Sequence, residues 1–177
     1  MIAGFRTLLA AAVLMFGAAL AVAPANAGVL QCAPFARQIS GVEIFGNAGT
    51  WWNQAEGRYE RGHEPRVGAV LAFAPSRRMR VGHVAMVSKV VGSREVLLTH
   101  ANWSYRGGIE RNVRAIDVSP ANDWSQVRVW YGPMGDVGLS ANPAQGFIYP
   151  HSVAPAAVTI AALDRATAGD DAAIGAF

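Results

Sequence analysis

The chain has 177 residues, of which 52% are hydrophobic and 15% are charged, which fits one domain of ordinary size. This composition excludes a disordered chain, and the single cysteine excludes both an internal disulfide bond and a four-cysteine zinc site. The formal net charge is +3. Because no nucleic-acid recognition motif accompanies the arginines, we expect no nucleic-acid partner.

The first 27 residues have the pattern of a signal peptide. Arg6 precedes an apolar stretch over 7–22, and the small-x-small sequence Ala-Asn-Ala at 25–27 is typical of a cleavage site. The apolar stretch is short for a membrane span, which needs about 20 residues. We therefore expect cleavage after Ala27, no stable membrane insertion afterwards, and a periplasmic or secreted protein.

Two helices are predicted next, followed by strands. The first helix covers Gln31–Ser40, with Cys32 in its first turn and Gly41 after its end, and the second runs from Ala48 to about Glu56. Short apolar or β-branched runs between turn signals predict the strands Val67–Phe73, His83–Val91, Glu95–His100, Arg111–Val118, Val127–Tyr131 and Gly146–Tyr149. Helices followed by a meandering sheet indicate an α+β fold.

The composition changes after Pro150. Residues 151–177 contain ten alanines and no tryptophan, which predicts a poorly ordered tail outside the domain. The expected organisation is therefore a signal peptide at 1–27, one domain at 28–150 and a tail at 151–177.

The lone cysteine is the first candidate for chemistry. A helix N-terminus lowers the pKa of a thiol, and a nucleophilic thiol also needs a base and a group that orients the base. His83 opens an apolar strand, and a later strand carries His100 and Asn102 two residues apart, which alternation places on one face. If the two strands pair through the turn between them, that face can meet His83. The alternative is that these histidines are core or capping residues.

Five motifs then resemble, in order, the CHAP domains, which are cysteine- and histidine-dependent amidohydrolase/peptidase modules. They are Gln31-Cys32-Ala33-Pro34-Phe35-Ala36-Arg37, Trp51-Trp52, the stretch 65–73 (PRVGAVLAF), Gly82-His83-Val84-Ala85 and the stretch 142–148 (NPAQGFI). The resemblance covers about residues 31–150. It implies a papain-like fold, with N-terminal helices packed on an antiparallel β-sheet, and cleavage of amide bonds in peptidoglycan.

The resemblance also implies roles for individual residues. Cys32 would be the nucleophile, attacking as a thiolate paired with the imidazolium of His83, which is the general base. His100 stands where many members carry a glutamate, while Asn102 matches, so the group that orients the base is either of the two. The Cys32 backbone N–H and the Gln31 side chain would hold the oxyanion.

Neither a metal nor another cofactor is required by this chemistry. Trp51 and Trp103 are candidates for lining a substrate groove, although a core position is the commoner place for tryptophan in a domain of this size.

The expected function is thus an exported peptidoglycan hydrolase. It would cleave either the N-acetylmuramoyl-L-alanine bond or a bond within the stem peptide, through a cysteine thioester. Two alternatives stay open: a non-catalytic cell-wall-binding module of the same fold, and a papain-like amidase or acyltransferase that acts on another substrate.

Overall fold

A computed structural model describes residues 28–151, so the predicted signal peptide and nearly all of the predicted tail lie outside the described residues. The helical segments are α1 (Cys32–Ser40), a 3₁₀ turn (Ala48–Thr50), α2 (Trp51–Gln54) and a second 3₁₀ turn (Gly132–Met134). The strands are β1 (Glu60–Gly62), β2 (Val70–Phe73), β3 (His83–Gly92), β4 (Glu95–Ala101), β5 (Ile109–Asp117), β6 (Gln126–Tyr131), β7 (Asp136–Val137) and β8 (Asn142–Tyr149). None of the helices described is long and apolar enough to cross a membrane.

All eight strands pair antiparallel, and six of them close into a barrel. The strand order is β1-β8-β2-β3-β4-β5-β6-β7, and β8 pairs with β6 as well as with β2. In the register of β8, Ala144 lies opposite Phe73 of β2, and Pro143 lies opposite Gln126 of β6. The ring β2-β3-β4-β5-β6-β8 is therefore complete, with β1 and β7 attached outside it.

The predicted fold class, a papain-like α+β arrangement with N-terminal helices packed on an antiparallel sheet, is wrong. The described residues are 40% strand and 15% helix, and the two α-helices are short. The main cause is β8, which begins at Asn142 and not at Gly146 and joins both edges of the sheet. Periodicity within a strand does not reveal such non-local pairing, and Pro143 argues against a strand there.

Two apolar cores lie on the two faces of the barrel wall. Along β2 the side chains alternate, so Leu71 and Phe73 belong to the core inside the barrel while Val70 and Ala72 face outward. The outer core is completed by α1, α2 and the first 3₁₀ turn. Because β2 is buried on both faces, it reads in the sequence as a continuous apolar run.

Helix α1 is amphipathic and lies against the outside of the barrel. Its buried face consists of Ala33, Phe35 and Ala36. The helix ends at Gly41, which adopts a left-handed conformation (φ 72°) and donates its N–H to the carbonyl of Arg37. This packing holds the N-terminus of α1 beside β3.

Several strand ends meet at one end of the barrel. β2 ends there at Phe73, which lies opposite the first residue of β3. Because neighbouring strands pair antiparallel, the same end of the barrel also holds the end of β4, the start of β5 and the end of β6. Side chains from distant parts of the sequence are therefore brought together at this end.

Candidate active site

A cleft of about 680 Å³ opens at this end of the barrel. Its wall includes five of the residues predicted for the site: Gln31, Cys32, His83, Asn102 and Trp103. Residues at or beside the ends of β3, β4, β6 and β8 line the cleft, and α1 adds its N-terminus. The cleft thus combines a thiol and an imidazole on rigid elements.

Cys32 is the first residue of α1 and is partly buried. Burial raises the pKa of its thiol above the ordinary value, and hydrogen bonds from the backbone N–H groups of Val84, Ala33 and Cys32 itself oppose that rise. The net effect is a raised pKa of the Cys32 thiol. Desolvation of the partly buried thiol therefore outweighs the lowering of its pKa that the helix N-terminus predicts.

The two histidines predicted for the site are in contact. His83 Nε2 lies 3.0 Å from His100 Nδ1, and the two side chains are 4% and 0% exposed. The His83 ring also packs against Trp103, with centroids 4.8 Å apart, and against Phe73 at 5.9 Å. This aromatic surrounding fixes the orientation of the imidazole.

Burial keeps both imidazoles neutral. It holds the pKa of His83 well below the ordinary value, with a further lowering from the neighbouring His100. Burial also lowers the pKa of His100 to about 4. Together with the raised pKa of Cys32, these directions favour a neutral thiol beside a neutral imidazole over the thiolate-imidazolium pair expected from the sequence.

The described structure contains no hydrogen bond between the Cys32 thiol and the His83 ring. The N–H of Val84, the residue that follows His83 in β3, acts on the thiol by lowering its pKa. Catalytic hydrogen bonds are often long in empty sites and tighten when substrate binds. A small approach of the two groups would therefore precede proton transfer.

A carboxylate lies near the ring nitrogen of His100 that does not face His83. Glu110 of β5 is the cross-strand partner of His100, and its Oε2 lies 3.5 Å from His100 Nε2. That nitrogen is buried and has no hydrogen-bond partner among the described residues. Glu110 is itself held by Ser104, which donates from its N–H (3.1 Å) and from its Oγ (2.6 Å).

This arrangement selects the tautomers of both imidazoles. A carboxylate only accepts hydrogen bonds, so the proton of His100 belongs on Nε2, facing Glu110. His100 Nδ1 then accepts a hydrogen bond from His83 Nε2–H. The unprotonated Nδ1 of His83 is left as the nitrogen that can take a proton from Cys32.

Asn102 makes no hydrogen bond to His83 in the described structure. It lies just past the end of β4 with φ 60°, so the strand alternation that would place it beside His100 no longer applies. Its Nδ2 donates to Gln31 Oε1 at 2.9 Å, and its Oδ1 accepts from the N–H of Gly107 at 2.9 Å. Asn102 therefore ties the β4–β5 loop to the residue that precedes the cysteine.

The remaining predicted residues are divided between cleft and core. Gln31 lines the cleft, and its Nε2 donates to the carbonyl of Val29 at 3.1 Å, so it must turn to reach an oxyanion. Trp103 lines the cleft and donates from Nε1 to the carbonyl of Trp130. Trp51 is fully buried in the outer core and does not line the cleft, contrary to its expected place in a substrate groove.

Glu110 is the site residue that sequence reasoning missed. The sequence pattern predicts a strand from Arg111, one residue later, and so leaves the glutamate outside the predicted strand. A signal was present: the Gly107-Gly108 turn predicts a hairpin, and a hairpin centred near Tyr105 places residue 110 opposite residue 100. The described residues contain no cluster of three or more His, Cys, Asp or Glu side chains that could hold a metal ion.

The family model described as CHAP domain matches residues 23–102. The matched segment contains Cys32, His83, His100 and Asn102, whereas Glu110 lies beyond it. No curated protein matches the chain.

Proposed function

We propose that this chain, whose residues 23–102 match the family model described as CHAP domain, is a cysteine-dependent amidohydrolase that cleaves amide bonds of peptidoglycan. The family indicates a peptidoglycan hydrolase or amidase-type function in general. The proposal adds Cys32 as the nucleophile and His83 as the base. It also adds His100, with Glu110, as the group that orients and stabilises the base. Its main support is the contact series His83–His100–Glu110, whose first member lines the same cleft as Cys32, the only cysteine of the chain.

The reaction begins from the neutral pair. As Cys32 Sγ attacks the amide carbonyl, His83 Nδ1 takes its proton, and the oxyanion accepts hydrogen bonds from the Cys32 backbone N–H and a turned Gln31 amide. His83 then gives the proton to the leaving amine, and a thioester remains on Cys32. Water, deprotonated by His83, attacks the thioester and releases the carboxylic acid and the free thiol.

The imidazolium formed during the reaction is a buried charge. An isolated charge in such surroundings is costly, because the protein interior solvates it poorly. His100 accepts the His83 Nε2–H, and the Glu110 carboxylate behind it supplies the compensating negative charge. A glutamate in direct contact with His83 would stabilise the imidazolium by itself. In this site the imidazole of His100 lies between His83 and the Glu110 carboxylate.

The finer identity of the reaction is part of the same proposal. The bond is either the N-acetylmuramoyl-L-alanine amide or an amide within the stem peptide, since both present a carbonyl to the thiol. Cleavage after Ala27 and export to the periplasm or the medium would bring the protein to its polymeric substrate.

The proposal is tested on purified peptidoglycan with the mature protein. Wild type should release soluble fragments, and mass spectrometry of their new ends should identify the amide bond. Cys32→Ala and His83→Ala should each lose several orders of magnitude in rate, because nucleophile and base act as a unit. Circular dichroism should show both variants folded.

Near-normal hydrolysis by either folded variant would overturn the assignment. A wild type that binds the polymer but releases no fragment would instead support the non-catalytic wall-binding module. His63→Ala is the matched control, because His63 is exposed and lies outside the cleft, and it should keep full activity.

A further inference from the structure

The permanently charged side chains that line the cleft are all positive. Arg78 and Arg80 line it, and no aspartate or glutamate does so among the described residues. No described carboxylate lies within ion-pair distance of either guanidinium, although five other ion-pair contacts of arginine occur in the described part of the chain. Two positive charges thus line the cleft that contains the thiol, and neither has a carboxylate partner among the described residues.

The loop that carries these arginines is ordered. Ser76 and Met79 exchange backbone hydrogen bonds of 3.0 and 3.2 Å, and the side chain of Met79 packs against the core inside the barrel. Arg78 also donates from Nη1 to the hydroxyl of Ser140 on the opposite side of the cleft. Arg78 therefore has a polar partner on the cleft wall that leaves its charge without a counter-ion.

Apolar side chains accompany the arginines. Val81, Tyr131, Met134 and Leu139 all line the cleft, and they are between 41% and 77% exposed. Exposed apolar groups concentrated in one cleft beside a few fixed polar groups are typical of a ligand site. The lining is therefore suited to an anionic group that is attached to an aliphatic one.

We propose that Arg78 and Arg80 form a carboxylate subsite, so that the acyl substrate of this cleft carries a free carboxylate next to an aliphatic group. Guanidinium groups recognise carboxylates by charge-assisted, often bidentate, hydrogen bonds. The inference rests on the proposed function for the identity of the reaction. The binding step itself can be measured without turnover.

Binding is measured in the Cys32→Ala protein, which cannot turn over. The probes are a soluble muramoyl peptide with free carboxylates and the same peptide with those groups converted to carboxamides. Titration is followed by the change in tryptophan fluorescence, because Trp103, one of five tryptophans in the chain, lines the cleft. The free-acid peptide should bind at least about tenfold more tightly than the carboxamide, a difference of about 1.4 kcal/mol.

Arg78→Gln and Arg80→Gln should each remove most of that preference and leave carboxamide binding unchanged. Arg77→Gln is the matched control, because Arg77 is a neighbouring exposed arginine that does not line the cleft. In the catalytically active protein the same substitutions should raise KM for the free acid and leave kcat unchanged.

Equal binding of the two peptides, or equal effects of all three substitutions, would overturn the subsite. These results do not depend on turnover. An inactive wild type that still prefers the free acid would contradict the proposed function while supporting the subsite.

Discussion

At the scale of single residues, the site depends on which atoms face each other. Cys32 and His83 line one cleft, and His83 contacts His100. The sequence points to these three residues because each lies at the end of a strongly patterned element. It leaves open whether His100 or Asn102 orients the base, and the contact of 3.0 Å is made by His100. The backbone conformation of Asn102, which turns it toward Gln31, is not encoded in the spacing of the two residues.

Glu110→Gln should lower kcat/KM about 10- to 100-fold, which corresponds to about 1.4–2.7 kcal/mol of transition-state stabilisation. The amide preserves the shape and one of the two oxygen acceptors that Ser104 uses, but it removes the charge on the far side of His100. Without that charge His83 is harder to protonate, so the acid limb of the pH–rate profile should also move to lower pH.

The control for this change is Glu95→Gln at the opposite end of β4, where the carboxylate pairs with the exposed Arg114. It should leave both the rate and the profile unchanged. A Glu110→Gln protein with a reduced rate but an unmoved acid limb would indicate structural damage in place of an electrostatic role.

The protonation of Cys32 can be measured directly, because it is the only thiol of the chain. Burial raises the pKa of this thiol, so alkylation by iodoacetamide in the absence of substrate should accelerate with pH through about 8.5, the ordinary thiol value, and beyond it. A reaction rate that is already maximal and constant between pH 5 and 8 would show that a resting thiolate-imidazolium pair exists after all.

At the scale of elements, the sequence predicted the local segments better than their pairing. β3 begins at His83 as predicted, and α1 covers Cys32–Ser40 within the predicted range. β1 and β7 were missed because strands of three and two residues carry no periodicity. The register of β4 on β5 shifts between Leu98 and His100, and such a bulge is invisible in a period of two.

Gly82 connects the arginine loop to β3 in a conformation that other residues resist. Its φ is +70°, and a Cβ there would lie 2.5 Å from the Cα of Gly49. Gly82→Ala should therefore lower the free energy of unfolding by about 2 kcal/mol or more and displace His83, with loss of activity. Urea denaturation and the wall assay measure the two effects.

Gly92, at the other end of β3, serves as the comparison. A Cβ at that position meets no atom within 4 Å, so Gly92→Ala should change stability by less than about 0.5 kcal/mol. If Gly82→Ala is as stable and as active as Gly92→Ala, the close approach of the two glycine backbones does not constrain the site.

At the scale of the whole molecule, closure of the barrel is what the sequence did not predict. It depends on β8 meeting β6 on one side and β2 on the other, and β2 lies far from β8 in the chain. The closure has a functional consequence. It buries His83 and His100 at the end of a continuous core, which sets their protonation.

The stability of the domain should therefore fall in mild acid. A histidine whose folded pKa lies below its unfolded value of about 6.5 destabilises the fold as pH falls, because the unfolded chain binds the proton and the folded chain does not. For His100 the window runs from about 6.5 down to about 4. Over it the free energy of unfolding should drop by about 3 kcal/mol, with a further contribution from His83 in the same direction.

Urea unfolding at pH 7 and at pH 4.5 measures this change. His100→Gln should reduce the dependence on pH, while His63→Gln, at an exposed position, should leave it as in wild type. An equal loss of stability in all three proteins would mean that other groups control the acid sensitivity.

The central claim is that Cys32 carries the acyl group during hydrolysis. The most direct measurement is the intact mass of the mature protein after it is mixed with a muramoyl peptide and quenched in acid, followed by peptide mapping. The account predicts a thioester adduct on the tryptic fragment that contains Cys32, absent from Cys32→Ala and accumulating when deacylation is slowed. Full hydrolysis of the same peptide with no adduct at any quench time, together with activity in Cys32→Ala, would contradict it.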